Sequence, residues 1–394
     1  MIKDLILLGS TGSIGETTLK IINKNKSKFR IKLLTTNKQI KKIYNQALKY
    51  NVKKIVIFDR NKYHNYHNYF LKFKKKKIKV YFSVYEALKG ERKKIKFGIS
   101  AISGINGMEP TLNAIKHVEN IGIANKESII CGWKFISREL KRNNTTFIPL
   151  DSEHFSIWSL IKSENKNNVK KIYLTASGGP FLNKKLIDIK NIKPKEALKH
   201  PNWKMGKKIS IDSATMMNKI FEVIEAKKIF NLNIKHFEIL IHPRSYVHAI
   251  IHFKSGLTKL LAHDTTMEIP IINFLYSKND NFTYNNNFNY SNLNGINFAK
   301  PKTKNFPLLK LINNNFNNTY FEIILVTIND ELVNSYLNNS ISYYSIHKLL
   351  FKLLKKPYFT KYYNASPKNI NEIKFMVDKV KKYICKNINK NEKI

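Results

Sequence analysis

The feature that most constrains the fold is the run Leu5-Ile6-Leu7-Leu8, ended by Gly9-Ser10-Thr11-Gly12-Ser13-Ile14-Gly15 and then by Ile14, Ile21 and Ile22 at helical spacing. A short apolar run without polar alternation is the pattern of a parallel strand buried on both faces. A strand, a glycine-rich turn and a helix in that order form the first unit of a doubly wound sheet. Further strand candidates follow at Ile31 to Leu34, Ile55 to Phe58, Phe97 to Ala101, Ile121 to Ala124 and Phe147 to Leu150, with helical patterns between several of them. The expectation is an α/β chain whose residues 1–150 form a doubly wound, Rossmann-like domain.

The glycine turn suits a dinucleotide. Glycines let the backbone turn tightly and approach a pyrophosphate, which would rest on free N–H groups at the helix N-terminus. The spacing here is Gly-x-x-Gly-x-x-Gly, so an ordinary strand-to-helix turn stays open as an alternative. The second strand ends in Thr35-Thr36-Asn37-Lys38-Gln39, with no carboxylate to bond ribose hydroxyls. A lysine among neutral polar groups suits the 2′-phosphate of NADP. A solvated lysine in a lysine-rich chain is the other reading.

The pattern changes after residue 150. Strand-like runs at Lys171 to Thr175, Phe237 to Ile241, Val247 to Phe253 and Thr258 to Ala262 predict an α+β domain over 151–277. One helix is expected there, with Asp212 and Ser213 as N-cap candidates, running to about Phe230. Residues 278–304 are Asn-rich and read as a linker. Residues 305–394 read as a helical C-terminal domain, with Pro357 and Pro367 as breaks.

The second domain carries the chemistry. Asp151 and Glu153 stand at i and i+2, which in an extended chain aims both carboxylates the same way. Asn218, Glu222 and Glu225 share one helix face. Carboxylate oxygens with no nearby Cys or paired His suit Mg²⁺ or Mn²⁺ rather than Zn²⁺. Surface acids pairing with the many lysines would give the same spacing. Ser177-Gly178-Gly179-Pro180, Ser213, Asn218 and Lys219 supply hydroxyls, an amide, backbone N–H groups and one ammonium, the parts of a phosphate cradle. His200-Pro201-Asn202-Trp203-Lys204-Met205-Gly206 reads as a loop able to close over a substrate.

Composition bears on partners. Lys plus Arg is 70 against 27 Asp plus Glu, a formal net charge of +43. The basic residues are nearly all lysine, spread along the chain with abundant Asn and Ile, which is a compositional drift rather than a nucleic-acid footprint. The densest run, Lys72 to Lys79, is expected to be a solvated face or loop. Cys131 and Cys385 offer neither a disulfide framework nor metal spacing. No apolar run reaches about 18 residues, so no membrane span is expected. The first apolar run is too short for a signal peptide, and a cytoplasmic location follows as an expectation.

Taken as a set, the motifs resemble the 1-deoxy-D-xylulose 5-phosphate reductoisomerase family. The resemblance rests on Gly9 to Gly15, Ala124-Asn125-Lys126-Glu127-Ser128, Asp151-Ser152-Glu153-His154, Ser177-Gly178-Gly179-Pro180-Phe181, His200-Pro201-Asn202-Trp203 and Asp212-Ser213-Ala214-Thr215-Met216-Met217-Asn218-Lys219, in the family's order. It covers residues 1 to about 270 well and the remainder loosely. It implies that Asp151, Glu153 and Glu222 hold Mg²⁺ or Mn²⁺, with Glu225 behind them. It implies that Ser177, Ser213, Asn218 and Lys219 grip a substrate phosphate with His200 close by. Lys126, Ser152 and Glu153 would meet the substrate's hydroxyls and carbonyl, so Lys126, Glu153 and His200 form the implied catalytic set. Trp203 and Met205 would lie on a closing flap. Thr11, Gly12, Ser13, Ile14, Asn37, Lys38, Gln39, Asn125, Glu127, Gly206 and Met267 would line the NADPH site. The implied reaction rearranges the carbon skeleton of 1-deoxy-D-xylulose 5-phosphate and then reduces the resulting aldehyde, and the implied assembly is a homodimer. The chain departs from the family pattern at Asn37, Gln39 and Arg244, and at Thr266 and Glu268, which stand in place of Asp and Arg. The last change reverses a charge, but none of the departures touches the implied metal or phosphate ligands, so retained activity, at most weakened, is expected.

Overall fold

The computed structural model describes residues 2–61, 67–203, 205–276, 280, 284, 289–314 and 316–388. Lys204 of the expected flap, residues 278–279, 281–283 and 285–288 of the expected linker, and residues 389–394 lie outside the described residues. The chain divides into two compact units. One comprises residues 1–129, 134–155 and 267–284; the other comprises residues 130–133, 156–266 and 285–394.

The first unit is built on a seven-stranded, all-parallel sheet of β1 (Lys3–Leu8), β2 (Phe29–Thr36), β3 (Lys54–Ile57), β4 (Lys79–Tyr81), β5 (Ile95–Ser100), β6 (Val118–Ile123) and β7 (Thr146–Pro149), in the order β4-β3-β2-β1-β5-β6-β7. The chain winds outward from β1 on one side and returns to β5 on the other, so the strand order reverses between β1 and β5. Leu7 pairs with both Leu34 and Ile99, and Leu5 to Leu8 are wholly buried. That burial on two faces is why the run shows no polar alternation.

The lysine-dense run is a solvated face, its lysines exposed on a helix end, a turn and a strand start. It closes the helix His67–Lys75 and opens β4, with Phe73 and Ile78 turned into the core. The helix Glu268–Leu275 also belongs to this unit. Its Ile271, Ile272, Phe274 and Leu275 share a core with Leu5, Leu7, Ile21 and Phe97, and Phe274 meets Phe97 edge to face at 5.2 Å.

The second unit holds a four-stranded mixed sheet of β8 (Val169–Ala176), β9 (Phe237–Ile241), β10 (Val247–Phe253) and β11 (Thr258–Ala262), in the order β11-β10-β8-β9. β8 runs parallel to β9, and β10 is antiparallel to β8 and β11. The single helix expected here is two helices, Lys207–Ala214 and Met217–Phe230. Met216 lies between them at φ 64°, a left-handed conformation that breaks the hydrogen-bond ladder. Asp212 and Ser213 therefore end the first helix and do not cap the second. The helices Tyr320–Leu337, Tyr343–Leu354 and Ile370–Ile388 complete the unit. The first of these opens on a capping box of Thr319 and Glu322, and Pro357 opens a single helical turn, Pro357–Thr360, where its missing N–H costs nothing. The fold class is thus α/β, with a doubly wound N-terminal domain, an α+β part and a helical C-terminal part.

Candidate active site

The glycine turn sits where the strand order reverses, at the C-terminal end of β1. In open α/β sheets this is the crevice that takes ligands. Gly9 has φ +81°, and a Cβ there would lie 2.6 Å from the Ala101 carbonyl oxygen. A Cβ on Gly15 would lie 2.4 Å from the Gly9 carbonyl oxygen. These two glycines serve the turn itself. Gly12 differs: it is exposed, and its Cβ would meet only the Gly9 oxygen at 3.6 Å. It precedes the helix Ser13–Lys24 with no side-chain cap, so backbone donors at that helix start stay available to an anion. Hydrogen bonds lock the turn from behind. Thr11 Oγ1 lies 2.9 Å from Thr36 Oγ1, and Lys42 Nζ donates to the Thr11 carbonyl at 2.9 Å. Ser13, Asn37, Lys38 and Gln39 are exposed, the last three at the end of β2. Ile14, Ala124 and Met267 are half-buried and pack on the core of this unit. The charge reversal at Glu268 is matched locally: its carboxylate lies 3.6 Å from Lys24 Nζ.

A polar cluster lies at the ends of β6 and β7. Asn125 caps the helix Lys126–Arg142, its Oδ1 accepting from Ser128 N–H at 2.8 Å while its amide donates to the carbonyls of Ile102 and Gly104. Lys126 and Glu127 are buried in the first turn. Asp151 immediately precedes the helix Ser152–Ile161, so Asp151 and Glu153 are not related by an extended strand as expected. Asp151 Oδ1 instead accepts from the backbone N–H groups of Glu153 at 3.1 Å and His154 at 3.3 Å, an N-cap arrangement. Its other oxygen pairs with Lys126, and His154 Nδ1 lies 3.1 Å from Oδ1. Burial pushes the Asp151 carboxyl up, but Lys126 and His154 outweigh it and hold it well below the usual carboxylate range. Ser152 donates to the Glu153 carboxylate. His154, fully buried, was given no role by its sequence; its position three residues after Asp151 was the available signal.

The second unit assembles its own set. Ser177 follows β8, and Gly178 and Gly179 turn the chain sharply at φ +83° and +67°. His200 Nε2 lies 3.1 Å from both Ser177 Oγ and Ser213 Oγ. His200 Nδ1 accepts backbone N–H bonds from Asn202 at 3.2 Å and Trp203 at 3.0 Å. Those two donors leave Nδ1 without a proton, so the neutral ring carries its proton on Nε2, facing the serines. Burial, with Lys219 adding to it, lowers His200 to about 4 and keeps the ring neutral. Ser177 Oγ also accepts from Gly179 N–H at 3.0 Å. Each serine oxygen therefore accepts from the protein, and its own O–H is left to donate. Hydroxyl donors beside a lysine are what an anionic oxygen needs.

Asn218 and Lys219 lie in the first turn of the helix Met217–Phe230. Both hold Glu222: Asn218 Nδ2 donates to Oε1 at 2.5 Å and Lys219 Nζ to Oε2 at 2.6 Å. Glu225 is buried one turn further on. The loop after His200 is tied down. Asn202 Nδ2 donates to the Pro243 carbonyl at 2.6 Å and to Ser245 Oγ at 2.9 Å, and the Trp203 ring stands edge-on to His248 at 6.0 Å. Met205 is half-buried, and Gly206 is the exposed residue before the helix Lys207–Ala214. Arg244 donates to the Asn294 carbonyl at 2.6 Å. Cys131 is buried and Cys385 exposed, the two forming no disulfide with each other, and among the described residues no helix is long and apolar enough to cross a membrane.

A parallel sheet whose order reverses at an open glycine turn is the mark of the doubly wound dinucleotide-binding class, here continued by a unit that presents hydroxyls and an ammonium for an anion. Comparison with known proteins narrows the class. The family model for 1-deoxy-D-xylulose 5-phosphate reductoisomerase matches residues 5–132, the model for that enzyme's C-terminal domain matches residues 147–230, and a DXP reductoisomerase C-terminal domain model matches residues 263–383. The chain belongs to the 1-deoxy-D-xylulose 5-phosphate reductoisomerase family. A curated member from Pelagibacter ubique is 49% identical over 381 residues, covering 96% of this chain and 97% of its own. Another, from a Wolbachia of Drosophila simulans, is 36% identical, covering 87% and 88%. Among solved structures, a DOX-P reductoisomerase in complex with NADPH, fosmidomycin and magnesium superposes with a TM-score of 0.88 at 29% identity, covering 98% of both chains. The Zymomonas mobilis enzyme in complex with NADPH gives 0.85 at 27% identity, covering 99% of this chain and all of that one.

Proposed function

We propose that the chain converts 1-deoxy-D-xylulose 5-phosphate to 2-C-methyl-D-erythritol 4-phosphate, by skeletal rearrangement and then hydride reduction with NADPH, in the non-mevalonate isoprenoid pathway. The observation that carries this reading is the neutral His200 held between Ser177 and Ser213, which turns both hydroxyls into donors beside Lys219. Such a set suits a phosphate monoester, and it is the part of the protein that selects a phosphorylated substrate over a free sugar.

The donor chemistry fits a divalent cation. Asp151, Glu153 and Glu222 would hold Mg²⁺ or Mn²⁺ through carboxylate oxygens, hard donors of the type these ions take. Asp151 and Glu222 are each compensated by a buried lysine, Lys126 and Lys219. Neutralised from outside, they would free both ammoniums for substrate oxygens. When bound, the cation supplies carbonyl polarisation and NADPH supplies the hydride. The chain's own part is to bind and orient. Ser177, Ser213, Asn218 and Lys219 grip the phosphate, and that remote binding energy positions the reacting carbons. Lys126 and Ser152 orient the hydroxyls and carbonyl, and Glu153 takes part in the proton movements there. Trp203 and Met205 cover the substrate and exclude water. Thr11, Gly12, Ser13 and Ile14 receive the pyrophosphate, Asn37, Lys38 and Gln39 the adenosine end, and Asn125, Glu127, Gly206 and Met267 the remainder of NADPH.

As a functional division, residues 1–150 would bind most of NADPH, joined by Gly206 and Met267 from later in the chain, 151–277 would bind metal and substrate, 278–304 would link, and 305–394 would form the helical C-terminal part. On the same reading the protein is a cytoplasmic homodimer. The test is NADPH oxidation with 1-deoxy-D-xylulose 5-phosphate and Mg²⁺ or Mn²⁺. Cofactor oxidation that survives complete metal removal would sink the metal assignment, and light scattering that gives the mass of one chain would sink the dimer.

A further inference from the structure

We infer that Asn329, more than a hundred residues from the phosphate-gripping side chains, is a positioning residue that sets Ser213 by way of Asp212. This rests on the reading of Ser213 as a phosphate ligand. Asn329 lies in the helix Tyr320–Leu337 and is wholly buried. Its Nδ2 donates to Asp212 Oδ1 at 2.8 Å, while its Oδ1 has no partner among the described residues. A buried amide that makes one bond and leaves its oxygen unmet destabilises the fold relative to an apolar side chain of the same size. The sequence nevertheless places Asn here, where most of the buried positions around it are apolar, among them Ile324, Leu325, Ile328, Leu332 and Val333. The bond to Asp212 accounts for it.

Asp212 is itself nearly fully buried in the last turn of the helix Lys207–Ala214, and its Oδ2 lies 3.2 Å from Lys208 Nζ. Lys208 also pairs with Asp330 at 2.9 Å, next along from Asn329. The carboxylate is thereby held from two directions, by a neighbour on its own helix and by the helix Tyr320–Leu337. What it anchors is the end of the segment that carries Ser213. Thr215 Oγ1 donates to the Asp212 carbonyl at 3.2 Å, and Met216 N–H donates to the Ser213 carbonyl at 3.1 Å. The left-handed Met216 then hands the chain to the helix bearing Asn218 and Lys219. On the other side, a Cβ on Gly179 would sit 3.2 Å from the Ser213 carbonyl oxygen, so the Ser177–Gly179 turn rests on the same segment. A shift of Asp212 would therefore move three phosphate-facing elements together. Positions of such groups matter at the ångström scale.

The experiment is calorimetric titration of the full-length protein with inorganic phosphate, and separately with NADPH, for Asn329→Leu, Ser213→Ala and the exchange pair Asp212→Asn with Asn329→Asp. The expected result is phosphate binding weakened about tenfold by Asn329→Leu, NADPH binding within about twofold of the parent, and phosphate binding recovered to within about threefold by the exchange pair, which restores an amide-to-carboxylate bond with its ends reversed. Asn329→Leu with parental phosphate binding, while Ser213→Ala weakens it, overturns the inference and spares the phosphate reading. Parental phosphate binding in Ser213→Ala overturns that reading, and the inference with it. Weakening by Asn329→Leu that the exchange pair fails to recover assigns the effect to packing and overturns the inference as well. If Asn329→Leu does not fold, the smaller Asn329→Ser is read by the same criteria.

Discussion

Gly12 and Gly15 stand three residues apart in one turn, and the structure assigns them opposite sensitivities to a single methyl group. At Gly15 a Cβ would lie 2.4 Å from the Gly9 carbonyl oxygen, 2.5 Å from Ser10 Cα and 2.6 Å from the Ser10 carbonyl carbon. Ordinary van der Waals contact begins near 3.4 Å, so the overlap is roughly 1 Å against three backbone atoms that have no rotamer to change. Gly15→Ala should cost about 3 kcal/mol of stability, at the upper end for an overpacked site. At Gly12 the added methyl meets one atom, at 3.6 Å, and φ is already −85°. Gly12→Ala should cost about 0.5–1 kcal/mol, the difference between glycine and alanine at an N-cap. If the pyrophosphate of NADPH approaches the backbone there, that same methyl occupies its path, and affinity should fall about tenfold or more, roughly 1.4 kcal/mol. Urea denaturation gives the first quantity for each variant, and titration of bound-NADPH fluorescence gives the second. A Gly12→Ala protein that binds NADPH as tightly as the parent would refute the placement of the cofactor on this turn, whatever Gly15→Ala does.

Three further outcomes are expected. Glu153→Gln keeps the side chain's shape and removes its charge; turnover should fall about a thousandfold with unchanged thermal unfolding, since a metal-held charge is worth several kcal/mol in the transition state, and full activity would exclude Glu153 from the metal site. His200 is held at about 4 in the folded chain against an ordinary value near 6.5, so its protonation favours the unfolded state. Its contribution is fully present above pH 6.5 and is lost as the pH falls toward 4; His347, also lowered to about 4 by burial, acts in the same window. Denaturation midpoints measured across that window should fall less steeply in His200→Gln, and an unchanged slope would count against a neutral buried ring. Lys228→Met removes the cation that bonds Glu322 at 3.0 Å, the Ile130 carbonyl at 2.7 Å and Asn318 Oδ1 at 2.9 Å. The loss should be about 3 kcal/mol, the low end for breaking a buried pair, because Glu322 keeps bonds from Asn318 N–H, Thr319 N–H and the Thr319 hydroxyl; Lys228→Met with Glu322→Gln should cost less than Lys228→Met alone.

The parts of the fold that could be read from sequence are those where one local pattern decides the outcome. Leu5 to Leu8 and the glycines after them could form little else, and the strands at Phe237–Ile241, Val247–Phe253 and Thr258–Ala262 were legible end to end. β4 was not, because three residues beside a lysine run carry no period to detect. The break at Met216 was hidden for a different reason: methionine is a good helix former, and no sequence pattern marks the bonds that accompany its left-handed turn, from Met216 N–H to the Ser213 carbonyl and from Met217 N–H to Thr215 Oγ1. The same break moved Ser213 from the expected helix start to a helix end. At the candidate site, the residue types at Asp151, Ser177, His200 and Lys219 were apparent from motif order. Their interlocking was not. That His200 presents a protonated Nε2 to two serines depends on backbone N–H groups of Asn202 and Trp203, which no sequence pattern encodes.

The charge balance gives the acids of this chain unusual diagnostic value. With 70 basic residues against 27 acidic ones, an acidic side chain at the surface can find a lysine almost anywhere, and such pairs contribute little. A buried acid needs a specific reason, because desolvation costs several kcal/mol before any partner is counted. Each of four buried or half-buried acids is met by a lysine on a defined element: Asp151 by Lys126, Asp212 by Lys208, Glu222 by Lys219 and Glu322 by Lys228. The pairs divide by what a substitution would do. Glu322 and Lys228 carry further bonds, so their role is to hold the start of the helix Tyr320–Leu337 to the helix of Glu222. Asp151 and Glu222 sit beside groups with hydroxyl and carboxylate chemistry, and on the proposed reading a bound cation would release their lysines. Net charge, spread along the whole chain, thus says little about function. Four places where this lysine-rich sequence retains a buried or half-buried carboxylate coincide with two of the proposed metal ligands, the proposed phosphate-positioning contact and the strut between helices.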